Sequence, residues 1–121
     1  MQPSAITILV VEDEMLIRMD AVDQLEALGF RVLEAGTAQQ ALDTIAREHR
    51  VDVVFTDVDM PGRLNGVALA CKVDAKWPEI GLIVTSGQAI VHASDLPAGT
   101  RFFAKPYSVS TIGAVVNDLV A

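Results

Sequence analysis

The chain has 121 residues, the length of one ordinary domain, and can bury roughly two thirds of the surface that its unfolded form exposes. Nine basic residues against sixteen acidic ones give a formal charge of −7, which disfavours loose attraction to nucleic acid or anionic lipid and favours a basic partner or a cation. A lone cysteine, Cys71, excludes an internal disulfide and a cysteine zinc cluster, while the lack of any apolar run near 20 residues or of a signal-peptide pattern in MQPSAIT predicts a soluble, cytoplasmic protein.

ITILVV (6–11) is a near-continuous apolar run of strand length, as expected of a strand covered on both faces. It ends on three acids, Glu12, Asp13 and Glu14. Met15, Leu16, Met19, Val22, Leu25 and Leu28 then recur at helical steps up to Gly29, a helix stop. FRVLEA (30–35) is a shorter strand interrupted by charge, which suits a sheet edge. Thr37 and Gln40 form a capping-box signature ahead of Ala38, Ala41, Leu42 and Ile45.

DVVFT (52–56) is the third strand and runs straight into Asp57 and Asp59, then Met60-Pro61-Gly62. A third helix begins after Asn65-Gly66, with Val67, Leu69, Ala70 and Val73 inward, Cys71 as a small packing residue, and Trp77-Pro78 at its end. IGLIVTS (80–86) is another buried strand and closes on Thr85 and Ser86. Between Gly87 and Gly99 the helical signal is weak, so the helix there is expected to be short or irregular. TRFFA (100–104) is a second edge strand. Lys105-Pro106 comes next, a pair that favours extended backbone and admits a cis bond. A last helix after Ser108 carries Ile112, Val115, Val116 and Leu119.

Alternating strands and helices predict an α/β fold: a doubly wound, five-stranded parallel sheet of order 2-1-3-4-5 with helices on both faces. Ligands of such sheets bind outside the carboxyl ends of the strands. Glu12-Asp13-Glu14, Asp57, Thr85-Ser86 and Lys105 all fall there. Singly, each has a plain explanation: acids cap helices and open turns, and lysines are usually solvated. Together they deliver crowded carboxylates, a hydroxyl and a cation to one rim. Crowded carboxylates call for a proton or a cation, and hard oxygen donors without histidine or thiolate select Mg2+, or Mn2+, over zinc. A carboxylate is also a competent phosphoryl acceptor. His49 and His92 are not needed for this chemistry.

VVEDE, FTDVDMPG, IVTSG and FFAKPY, in that order, resemble the receiver domain of bacterial two-component response regulators, over essentially the whole chain. The resemblance implies a flavodoxin-like fold and a single receiver domain over 1–121 with no output domain. It implies transfer of a phosphoryl group from a histidine kinase or histidine phosphotransfer protein to Asp57, with only slow autodephosphorylation. Asp13 would hold magnesium directly and Glu12 through water, with Asp57 and the backbone carbonyl of Asp59 as further ligands. The Asp59 side chain would tune the lifetime of the acyl phosphate, and Lys105 would pair with the acceptor and then with the phosphoryl group. Ser86, beside the small Gly87, is preferred as the switch hydroxyl, with Thr85 as alternate; Phe102 holds the position of the switch aromatic without a tyrosine's hydroxyl. Output would pass to a downstream protein target or a homodimer, with no nucleic acid or membrane bound by this chain. Two departures stand out: MPGRLNG is one residue longer than the common pattern, and the stretch from Ser86 to Lys105 is shorter.

Two other readings compete. DVD after an apolar strand resembles the D-x-D motif of haloacid-dehalogenase-type phosphatases, in which Asp59 would be the general acid/base, although that motif normally lies on the first strand. The other is an interaction module that works without phosphorylation.

Overall fold

The structure is a computed structural model that describes residues 5–48, 50–60, 65–87 and 93–121. In chain order the elements are β1 (Thr7–Val11), α1 (Met15–Ala27), β2 (Arg31–Ala35), α2 (Ala38–Arg47), β3 (Val53–Asp57), α3 (Gly66–Lys76), β4 (Gly81–Ser86), a 3-10 turn at Ala93–Asp95, β5 (Arg101–Ala104) and α4 (Val109–Val120). All strand pairs are parallel, in the order β2-β1-β3-β4-β5. The two charge-interrupted strands form the margins, and the three apolar runs lie inside.

The period of two along each strand sorts the core into two layers. Leu9, Val11, Val54 and Val84 face Ala41 and Ile45 of α2 and Leu69 and Val73 of α3. Ile8, Val10, Val53, Phe55 and Ile83 face Ala21, Val22 and Leu25 of α1 and Ile112 and Val116 of α4. Each large apolar side chain so buried contributes about 1.5–3 kcal/mol against the entropy of ordering the chain. The interior strands can be apolar throughout because both faces are covered.

Local signals fix the helix ends. Thr37 Oγ1 accepts from the Gln40 N–H at 3.0 Å, and Gln40 Oε1 accepts from the Gly36 N–H at 2.8 Å, so the capping pair starts α2 as its sequence predicts. Asn65 Oδ1 accepts from the Ala68 N–H at 3.0 Å and starts α3. After α1 the chain reverses at Gly29, whose φ of +99° lies in the left-handed region that favours glycine.

Two expectations about packing need correction. The apolar repeat of α1 does not lie wholly inward: Met15, Leu16, Met19 and Leu28 are exposed, and Ala21, Val22 and Leu25 make the contact. The first turns stand beside the carboxyl rim, where Ile17 lines the acidic cleft, so their apolar residues cannot reach the sheet. Cys71 is exposed on α3, its thiol 3.6 Å from the Asp95 carbonyl. Of the stretch expected to hold a weak helix, 88–92 lies outside the described residues, as do His49 and His92 and most of the long turn, 61–64; the rest of that stretch holds a single 3-10 turn, Ala93–Asp95.

Candidate functional site

The strands of the inner sheet end together, and the site is built from what each carries one or two residues further on. β1 delivers Glu12 and Asp13, and β3 ends on Asp57 itself. The Lys105 N–H donates to the Ser86 carbonyl at 3.0 Å, which extends the β4–β5 ladder by one residue and sets the lysine at the rim. The Lys105–Pro106 peptide bond is cis.

Lys105 Nζ lies 3.2 Å from Asp57 Oδ2, and the Asp59 N–H donates to Asp57 Oδ1 at 3.1 Å. Asp57 is only 6 % exposed. One carboxylate oxygen each from Glu12, Asp13 and Asp57 lie within 4.8 Å of one another. These acids, with Asp59, Gly87 and Lys105, line an open cleft of about 270 Å³.

Among the described residues the electrostatics are unbalanced, since three carboxyl groups face one ammonium. Burial pushes the Glu12 carboxyl from its ordinary 4.5 up to about 8, and the hydrogen bond and charge of Asp57 push the same way against the opposing pull of Lys105. Glu12 Oε2 is buried with no hydrogen-bond partner among the described residues. Burial alone would lower the Lys105 ammonium, but the charge and hydrogen bond of Asp57, joined by Glu12 and Asp59, more than offset it and hold its pKa above the usual 10.5. An oxygen-only donor set with an orphaned buried oxygen fits a hard divalent cation such as Mg2+.

The two hydroxyls at the end of β4 have different neighbours. Thr85 stands in register with Asp57 across the β3–β4 pair, and with Asp57 and Lys105 it lines a small cavity behind the cleft. Ser86 Oγ instead donates to Asp59 Oδ2 at 3.2 Å. Both residues are buried. Phe102 pairs with Val84 on the outer strand and is 42 % exposed, whereas Phe103 packs into the α1–α4 layer.

Three supporting residues were not singled out from the sequence. Arg18 donates from Nη1 to the Glu12 carbonyl at 2.8 Å and from Nε to Glu34 Oε1 at 2.9 Å, so α1 fixes the backbone from which the acids hang. Its signal was available: it is the one basic residue between Glu12 and Phe30. At Gly66 a Cβ would stand 2.2 Å from the Asp57 carbonyl oxygen, so α3 can start this close to the acceptor only from glycine. Tyr107 packs edge-on against Phe55, ring centroids 5.4 Å apart. Burial first, then Glu12, Asp57 and Asp20, push its phenol up to about 12.

With this geometry established, comparison with known proteins defines the class. The family model for the response regulator receiver domain matches residues 8–117, and the chain belongs to that family. It is 34% identical over 118 residues to the sensor kinase CckA of Brucella abortus, covering 94% of this chain and 12% of that protein. It is 33% identical over 108 residues to the transcriptional regulatory protein PdtaR of Mycobacterium tuberculosis, covering 87% and 52%. The chain thus spans about half of one relative and a small part of the other. Among solved structures, the receiver domain of the hybrid histidine kinase CckA superposes with a TM-score of 0.80 at 29% identity, over 95% of this chain and 99% of that one. A receiver protein from Sinorhizobium medicae gives 0.89 at 24% identity, over 97% and 95%, a likeness of fold.

The chain is therefore a receiver domain of two-component systems, a family of signalling domains. Receiver domains generally bind Mg2+ through acidic residues and interact with histidine kinases and downstream effectors. Among the described residues no helix is long and apolar enough to cross a membrane.

Proposed function

We propose that Asp57 accepts a phosphoryl group from a phosphohistidine of a histidine kinase or phosphotransfer protein, in a Mg2+-dependent reaction. A carboxylate oxygen of Asp57 forms the bond to phosphorus as the bond from phosphorus to the imidazole nitrogen breaks, and the imidazole leaves with that electron pair. Glu12, Asp13, Asp57 and the backbone carbonyl of Asp59 would hold the cation, which supplies neutralisation of the phosphoryl oxygens when bound. Lys105 supplies a second, permanent positive charge on the same side as Asp57 Oδ2.

One observation carries the reading: a nearly buried aspartate whose two oxygens meet a lysine and a backbone N–H, 4.8 Å or less from two further carboxylates. For the hydroxyl that meets the phosphoryl group we favour Thr85 over Ser86, the reverse of the order read from the sequence. Adjacent strand residues face opposite ways, and the register with Asp57 favours Thr85. Its movement toward the phosphoryl oxygens would reposition the surface around Phe102 and shift the balance between two states of the domain. Residues 1–121 act as a single receiver unit in the cytoplasm that signals through a protein target or a second copy, without binding nucleic acid or membrane itself.

The test is labelling with a small acyl phosphate, read by intact mass. Gain of one phosphoryl group with magnesium, and none with chelator or in Asp57→Asn, is the expected result; repeated turnover of a phosphomonoester at Asp57 would favour a phosphatase instead.

A further inference from the structure

Asp59 points two ways. Its backbone N–H touches the acceptor, donating to Asp57 Oδ1 at 3.1 Å. Its side chain reaches the other way, to the end of β4, where Oδ2 accepts from Ser86 Oγ at 3.2 Å and from the Gly87 N–H at 3.1 Å. Both donors converge on one oxygen. Ser86 is 4 % exposed while Asp59 and Gly87 border the cleft, and a hydrogen bond to a charged group is stronger than one between neutral groups. Asp59 and Gly87 both line the acidic cleft, so a carboxylate released from these donors has the cleft as its alternative position.

That alternative matters for hydrolysis of an acyl phosphate. The oxygen of water forms a bond to phosphorus as the bond from phosphorus to the Asp57 oxygen breaks. Asp57 leaves as a carboxylate, inorganic phosphate departs, and the water's proton passes to a base and then to solvent. A mobile carboxylate beside the phosphoryl group is such a base. One held by two donors at the end of a strand is not free to align with the water.

We propose that Ser86 is a positioning residue that, with the Gly87 N–H, clasps the Asp59 carboxylate to the end of β4 and so lengthens the life of the aspartyl phosphate. The inference rests on the proposed role of Asp57 as acceptor and gives Ser86 a function distinct from that of the hydroxyl facing the phosphoryl group. It ties phosphate lifetime to β4, the strand that carries Thr85.

The experiment labels the intact chain with acetyl phosphate and magnesium, removes the donor, and tracks loss of the phosphoryl group by intact mass. Ser86→Ala is expected to shorten the lifetime roughly tenfold, the low end of what one hydrogen bond to a charged group can carry, while the same change in an Asp59→Ala background leaves it unaltered. Ser86→Thr, which keeps the donor, is expected to stay near the parent value. Amide exchange at Gly87 in the unphosphorylated chain reads the clasp directly and should quicken in Asp59→Ala. A labelled chain in which Ser86→Ala decays at the parent rate, or by the same factor with and without Asp59, overturns the clasp alone, as does unchanged Gly87 exchange. A chain that gains no phosphoryl mass overturns the acceptor reading and the clasp's role with it.

Discussion

Two aspartates bracket β3, and they could hardly be treated more differently. Asp52, just before the strand, is fully wired: its Oδ2 accepts from the Thr7 N–H at 2.8 Å, Arg50 Nε lies 3.1 and 3.0 Å from its two oxygens, and its own N–H and carbonyl pair with Thr7 and Gly81. One carboxylate meets one guanidinium. Asp57, at the strand's other end, shares one ammonium among the described residues with Glu12 and Asp13. The contrast lies in the charge left over. An acid that completes its own balance is structural, whereas acids that crowd until a proton or cation is required mark a site.

That contrast can be broken or sharpened by mutation. The largest change in stability is expected from Gly66→Ala, because the new methyl would stand 2.2 Å from the Asp57 carbonyl oxygen and 2.8 Å from the Val58 Cα. Backbone must move, at a cost of about 3 kcal/mol or more, and urea unfolding should show it together with loss of phosphoryl labelling. Asp52→Ala is next. It strands the Thr7 N–H and should cost about 1–3 kcal/mol in urea unfolding, yet leave labelling intact, since nothing at the carboxyl rim changes.

A third change is a dependence on pH. Glu12 in the folded chain keeps its proton up to about pH 8, whereas the unfolded chain releases it near 4.5. Between those values the folded state binds more protons, so the stability from this group is fully present below pH 4.5 and is lost as pH rises toward 8. Urea midpoints in chelator should therefore fall across that window. Glu12→Gln should flatten the slope, and magnesium should restore stability at its upper end.

Much of this was legible in the sequence, for a definite reason. Continuous apolar runs need cover on both faces, so ITILVV, DVVFT and IGLIVTS had to lie inside, and the residues just beyond them had to meet at one rim. Edge strands betrayed themselves by Arg31, Glu34 and Arg101. Choices that depend on phase or approach in three dimensions were not legible. Whether Thr85 or Ser86 turns toward Asp57 depends on the β3–β4 register, which pairs Asp57 with Thr85. The exposure of Met15, Leu16 and Met19 depends on where α1 overhangs the sheet, which helical spacing does not encode. Gly66 reads as an ordinary helix start until the distance to the Asp57 carbonyl is known, and Arg18 as a surface charge until it is found on the Glu12 carbonyl.

The central claim is that of the two acids that bracket β3 only Asp57 is a phosphoryl acceptor and that the crowded carboxylates beside it make the reaction depend on a divalent cation. The most direct measurement is intact-mass labelling by acetyl phosphate of the parent chain, Asp57→Asn and Asp52→Asn, each with magnesium and with chelator. One added phosphoryl group is expected on the parent and on Asp52→Asn with magnesium only, and none on Asp57→Asn under either condition. Labelling that survives in Asp57→Asn, or that proceeds equally well in chelator, would contradict the claim.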